Sequence, residues 1–224
     1  MKEKDLQFEE GHYLARLNEL KACLEKKANV KGLGNILRSI QKAGDTEAKL
    51  DHVAELEIGL YFSTIGEVEF EKKLKKATPH DIVLTFKGKK IVIEVKRIRK
   101  TERNNILVQE MPESGDLVEI RDKGEFGKLI RKIVDEKYPQ LEDSYLNIIC
   151  IVSKDIFFGA GNIQDAAKEI IRYGNERFYP DYVGSKYENL NALSHMNENT
   201  GEVRTFPVHG NGTITALIKE LNRK

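Results

Sequence analysis

The stretch from His80 to Lys96 reads HDIVLTFKGKKIVIEVK, and the interpretation of the whole chain depends on it. It contains two β-prone runs, residues 81–86 and 90–98, which are separated by a short turn at Lys87-Gly88. Two such runs with a glycine-containing connection predict an antiparallel hairpin. In a hairpin the start of the first strand faces the end of the second strand, so residues at these two places are expected to be neighbours.

The two ends that meet in this hairpin carry charged residues. The first strand opens with Asp81, and the second closes with the tripeptide Glu94-Val95-Lys96. Since side chains alternate along a strand, Glu94 and Lys96 are expected on one face, about 6–7 Å apart. Charges on an otherwise apolar strand persist only when they are paired or bind a metal. The hairpin is therefore the candidate functional site.

Composition limits the class of protein. The chain has 224 residues, of which 40% are hydrophobic and 33% are charged, which predicts a globular core under a heavily charged surface. No apolar run approaches the length of a membrane span, and no apolar stretch follows the first residues as in a secretory signal. The two cysteines, Cys23 and Cys150, are far apart and have no metal-ligand spacing. We therefore expect a cytoplasmic protein without membrane contact.

Basic charge is concentrated around the hairpin. Residues 72–103 contain 12 Lys or Arg and three acids, while the rest of the chain has 25 basic and 33 acidic residues. A local excess of this kind is typical of a surface that binds a polyanion. A lysine-rich strand edge that prevents aggregation is the alternative explanation.

Hydrophobic periodicity predicts an α/β chain. We expect helices over residues 3–28, 35–42, 46–64, 125–137, 163–173 and 213–222, with Asp45 as the N-cap of the third. We expect strands over residues 67–71, 81–86, 90–98 and 146–152, a small hairpin within 106–120, and another turning at 197–201. Consecutive strands followed by a helix and a further strand favour an α/β sandwich with a central mixed sheet flanked by helices, rather than a doubly wound dinucleotide fold.

The arrangement of Asp81 and Glu94-Val95-Lys96 within these elements resembles the PD-(D/E)XK nuclease superfamily, which has the restriction-endonuclease-like fold. The resemblance covers about residues 46–152. It implies that Asp81 and Glu94 bind a Mg²⁺ ion, which Mn²⁺ can replace, with the Val95 carbonyl as a further ligand. It also implies that Lys96 orients or activates the attacking water. The sequence departs from the family pattern because His80 separates Pro79 from the acid.

The resemblance implies one more acid, on the helix that precedes the strands. Glu55, eleven residues before Gly66, is the preferred residue, both as a catalytic group and as a metal ligand, and Glu57 is the alternative. His52 lies three residues from Glu55, but no second histidine completes a zinc motif. We therefore interpret His52 as a surface residue.

The cations that follow the tripeptide are candidates for holding phosphates of a nucleic acid. They are Arg97, Arg99, Lys100 and Arg103. Residues 45–224 are interpreted as the nuclease-like domain, and residues 1–44 as a helical extension for dimerisation or substrate placement.

The sequence thus predicts a Mg²⁺-dependent endonuclease that acts on DNA and releases a 5′-phosphate, the last an implication of the resemblance. A nuclease for RNA or branched DNA has the same metal chemistry and stays open. A non-catalytic nucleic-acid-binding module on the same fold also stays open, as does a structural ion pair in an unrelated α/β protein.

Overall fold

The structure is a computed structural model that describes residues 3–76, 78–99, 123–154, 159–173, 187–209 and 212–221. The chain divides into two compact units, Met1–Val95 and Lys96–Lys224. The predicted domain boundary after residue 44 stays a prediction. In the described residues, no helix combines the length and the apolar character needed to cross a membrane.

The first unit contains three helices and a sheet. In chain order its elements are α1 (Glu3–Glu25), β1 (Val30–Lys31), α2 (Leu33–Lys42), α3 (Thr46–Phe62), β2 (Glu67–Lys72), β3 (His80–Phe86) and the first seven residues of β4 (Lys89–Arg97). β1 pairs with β2 in parallel, whereas β2–β3 and β3–β4 are antiparallel. Helices α1 and α2 pack on α3, and α3 packs on β2 and β3.

The second unit begins within β4, whose last two residues are Lys96 and Arg97. Its other elements are α4 (Lys123–Lys137), a short 3₁₀ helix (Tyr138–Gln140), β5 (Leu146–Ser153), α5 (Ala160–Tyr173), β6 (Ala192–Asn197), β7 (Val203–Pro207) and α6 (Gly212–Leu221). β5 and β6 are parallel, and β6 and β7 are antiparallel. Just after β4, the Ile98 N–H donates to the Val152 carbonyl at 2.8 Å.

The predicted α/β class with mixed strand pairing is confirmed. The predicted helices and strands in the described residues are present with small shifts of their ends, and the Asp45 side chain caps α3 by accepting a hydrogen bond from the Ala48 N–H at 2.7 Å. The two-residue strand β1 was missed, and so was the start of β6. The hairpin expected within residues 106–120 lies outside the described residues.

The turn of the central hairpin lies where the sequence predicted it. Lys87 and Gly88 both have positive φ, 49° and 74°, and connect the paired residues Phe86 and Lys89. Two residues in this conformation form the type of turn whose twist matches antiparallel strands. The turn sets which residues of β3 and β4 face one another.

Gly59 allows α3 to lie close to β2. A Cβ atom at this position would come within 2.1 Å of Cζ of Phe70, a fully buried ring on β2. Only a residue without a side chain fits there, because the ring is enclosed and the interior is densely packed. This contact fixes the distance between the helix that carries Glu55 and the sheet.

We expect Gly59→Ala to destabilise the fold by about 1–3 kcal/mol, because the added methyl group overpacks the contact with Phe70. The measurement is the free energy of unfolding in urea. Gly127→Ala on α4 is the matched control, since its Cβ would meet nothing within 4 Å. That variant should gain up to about 1 kcal/mol through helix propensity. Equal stabilisation by both substitutions would contradict the packing argument.

Candidate functional site

Asp81 and the Glu94-Val95-Lys96 tripeptide meet through a hydrogen bond. Ile82 of β3 is paired with Ile93 of β4. Asp81 precedes Ile82 and Glu94 follows Ile93, so the two acids lie side by side at the end of the hairpin far from the turn. The Asp81 Oδ2 accepts a hydrogen bond from the Val95 N–H at 2.8 Å. The acid at the start of β3 is therefore held against the backbone of the tripeptide, as the hairpin geometry predicted.

Glu94 has a partner that the sequence analysis did not identify. The Nδ1 of His80 lies 2.9 Å from the Glu94 Oε1. The two side chains are 1% and 0% exposed, so both are removed from solvent. A buried carboxylate needs a partner, and His80, the residue between Pro79 and Asp81, provides one for Glu94.

Glu55 on α3 also contacts a histidine. The His52 Nδ1 lies 3.1 Å from the Glu55 Oε1; the Glu55 side chain is largely buried and that of His52 is half-buried. The interpretation of His52 as a surface residue holds only in part, because its side chain is 28% exposed and contacts Glu55. Glu57, the alternative to Glu55, forms an ion pair with Arg16 of α1 at 2.7 Å.

Three acids raise the pKa of His52. The hydrogen bond with Glu55 is the largest influence and raises the pKa of His52, while burial opposes it. The negative charges of Glu55, Glu71 and Asp81 raise the pKa further. Glu71 was not predicted, and it lies on β2 with an unusual positive φ of 48°. No sequence pattern marks it, because its position depends on the pairing of β2 with β3.

The chemistry of these residues fits a hard divalent cation. Asp81, Glu94 and Glu55 offer carboxylate oxygens and Val95 offers a carbonyl oxygen, which are the ligand types that Mg²⁺ prefers. The Asp81–Val95 hydrogen bond joins two of the proposed ligand residues. Within the described part of the chain, no three His, Cys, Asp or Glu side chains are already arranged to hold a metal ion.

Lys96 is held by an ion pair in the second unit. Its Nζ donates to the Glu136 Oε1 of α4 at 3.1 Å, and the lysine side chain is 18% exposed. Glu136 is half exposed, so the pair contributes little to stability. The contact does, however, restrict where the ammonium group points.

The four predicted phosphate-binding cations have different surroundings. Arg97 is 6% exposed and donates to the Glu198 Oε1 at 2.7 Å, so its guanidinium group belongs to an internal ion pair. Arg99 is half-buried just after β4. Lys100 and Arg103 lie outside the described residues. The phosphate-binding role of this group stays a prediction.

Exposed lysines occur near both ends of the hairpin. Lys72, the last residue of β2, is paired with His80, which precedes Asp81 on β3. The two exposed lysines Lys73 and Lys75 follow Lys72. Lys87 and Lys89 are exposed at the turn. Because β3 rises about 3.3 Å per residue, the turn is about 20 Å from Asp81. Lys73 and Lys75 thus follow the end of β2 that lies beside the acidic end of β3.

Ser153 and His195 form a second polar pair, which the sequence analysis did not identify. The Ser153 Oγ lies 3.0 Å from the His195 Nε2, and the residues are 1% and 3% exposed. Burial lowers the pKa of His195 to about 4, and the charge of Glu202 opposes this effect only in part. The pair is an internal hydrogen bond between the neighbouring strands β5 and β6.

Comparison with known proteins adds no assignment, because no family model, curated protein or solved structure matches the chain.

We expect the pKa of His52, measured by NMR titration without divalent metal, to lie above its ordinary value of 6.5. Glu55→Gln should lower the pKa most, because it removes both the charge and the charge-assisted hydrogen bond. Glu71→Gln and Asp81→Asn should lower it by smaller amounts, because these acids act through their charges alone.

The control for this titration is Glu57→Gln, on the same helix but ion-paired with Arg16. It should leave the pKa of His52 unchanged. If Glu71→Gln and Asp81→Asn also leave that pKa unchanged, the three acids do not converge on His52.

Proposed function

We propose that this chain is a divalent-metal-dependent nuclease of the PD-(D/E)XK type, with a restriction-endonuclease-like fold, that hydrolyses phosphodiester bonds in DNA. The observation that carries the proposal is the hydrogen bond from the Val95 N–H to the Asp81 Oδ2. It holds an acid from one strand against a Glu-Val-Lys tripeptide on its neighbour. This is the combination that the resemblance associates with phosphodiester hydrolysis.

In this proposal Asp81, Glu94 and the Val95 carbonyl hold the Mg²⁺ ion, and Glu55 is the fourth ligand residue. Three carboxylates around one ion would repel one another without its positive charge. Two of them already have histidine partners, at 2.9 Å for Glu94 and 3.1 Å for Glu55. When bound, the ion offsets charge on the phosphate and lowers the pKa of a coordinated water.

Lys96 continues the strand that carries Glu94, two residues further along. Its ammonium group is a compact charge with three donors, suited to orient a water and to offset phosphate charge. In-line attack of water on phosphorus forms a new P–O bond, releases a proton of that water to solvent, and breaks the bond between phosphorus and the 3′-oxygen. The 3′-oxygen leaves with a proton from solvent, and the 5′-phosphate stays on the other fragment.

The proposed partner is nucleic acid, with DNA as the expected polymer and RNA as the alternative. Lys73 and Lys75, exposed after β2, are suited to contact phosphates at the acidic end of the sheet. Such contacts position a backbone without reading its sequence. Dimerisation through residues 1–44 is a further proposal, suited to cleavage of both strands.

One observation favours a second function, a nucleic-acid-binding module without catalysis. The described residues contain no preassembled group of three metal-ligating side chains. A module of this kind would bind DNA with strong salt dependence and would not cut it. The two functions differ in metal dependence, which is directly measurable.

The test is cleavage of supercoiled plasmid, linear duplex, single-stranded DNA and RNA with Mg²⁺ or Mn²⁺. We expect the wild type to cut, and Lys96→Ala and Asp81→Asn each to lose about 10²-fold or more of the rate. Lys89→Ala, at the exposed turn, is the matched control and should keep the wild-type rate. Salt-sensitive DNA binding without cleavage of any substrate would favour the binding module and contradict the nuclease.

A further inference from the structure

We propose that His80 is a positioning residue that orients the Glu94 carboxylate for the metal ion. This inference deepens the proposed function and rests on it. His80 stands where the family pattern places the proline next to the acid. Its side chain contacts the carboxylate of Glu94, which is a proposed metal ligand. His80 is not itself proposed as a ligand.

The chemistry of the contact defines the donor. The His80 Nδ1 and the Glu94 Oε1 are 2.9 Å apart. An ionised carboxylate only accepts hydrogen bonds, so with Glu94 ionised the Nδ1 carries the hydrogen and donates it. A hydrogen bond to a charged acceptor is shorter and about twice as strong as a neutral one. The histidine therefore restrains one oxygen of Glu94.

Burial makes this restraint difficult to replace. His80 is 1% exposed and Glu94 is 0% exposed. Solvent water cannot take the place of the ring at a site without exposure, and an unpaired buried carboxylate is costly. Loss of this donor would remove the hydrogen bond that restrains the Oε1 atom of Glu94. The carboxylate would then be less well oriented as a metal ligand.

The backbone places His80 and Asp81 against consecutive residues of β4. The Asp81 Oδ2 accepts from the Val95 N–H at 2.8 Å, while His80 contacts the side chain of Glu94. His80 is itself fixed by pairing with Lys72 of β2. Two neighbouring residues of β3 thus hold two neighbouring residues of β4. This arrangement explains why a histidine precedes the acid.

Loss of a side chain that orients a metal ligand typically lowers metal affinity 10–100-fold. The test measures Mn²⁺ binding to the full chain by electron paramagnetic resonance, without nucleic acid. We expect His80→Leu, which has no donor, to weaken Mn²⁺ binding by about this factor. His80→Asn should bind close to the wild type, because the asparagine amide places an N–H near the position of Nδ1.

His80→Gln tests whether the position of the donor matters, because it keeps an N–H donor but places it away from the position of Nδ1. Its amide reaches the position of the other ring nitrogen, Nε2, and we expect it to bind Mn²⁺ as weakly as His80→Leu. If His80→Leu does not fold, as judged by circular dichroism, the comparison of His80→Asn with His80→Gln is decisive.

The inference is overturned if the folded His80→Leu or His80→Gln binds Mn²⁺ as tightly as the wild type, or if His80→Asn binds as weakly as His80→Gln. In these cases the wild type still binds the ion, so the proposed function survives. Absence of Mn²⁺ binding by the wild type itself would overturn both the proposed function and the role of His80.

Discussion

The register between β3 and β4 is the constraint on which the candidate site depends. The positive φ angles of Lys87 and Gly88 close a two-residue turn and pair Ile82 with Ile93. The next residues are Asp81 and Glu94, and a slip by one residue would send each side chain to the opposite face. The apolar residues between turn and acids are buried, which ties the register to the core.

Burial of charge next to this hairpin has a cost, and two histidines reduce it. Glu94 is fully buried beside His80, and Glu55 is largely buried beside His52. Replacing such pairs by apolar residues is often neutral or stabilising for a fold. Stability alone therefore does not explain carboxylates at this place. The proposed role in holding a cation would explain them, and it would also account for Asp81 on the neighbouring strand.

The sequence predicted the hairpin, the Asp45 cap and the helices because these depend on local patterns such as turn residues and periodicity. It also predicted that Asp81 and the tripeptide would meet, since hairpin geometry follows from turn position. It did not reveal the partners of Glu94, Lys96 and Arg97. Two of those partners, Glu136 and Glu198, lie 40 and 101 residues away in sequence. Pairing over such distances depends on tertiary packing, which no local pattern records.

The central claim is that Asp81 and Glu94 bind the same divalent ion. The most direct measurement is an anomalous difference map from crystals grown with Mn²⁺. The account predicts one strong peak within ligand distance of both carboxylates and of the Val95 carbonyl, and its loss in Asp81→Asn. A protein that cuts DNA with Mn²⁺ while the only peak lies away from these residues would contradict the account.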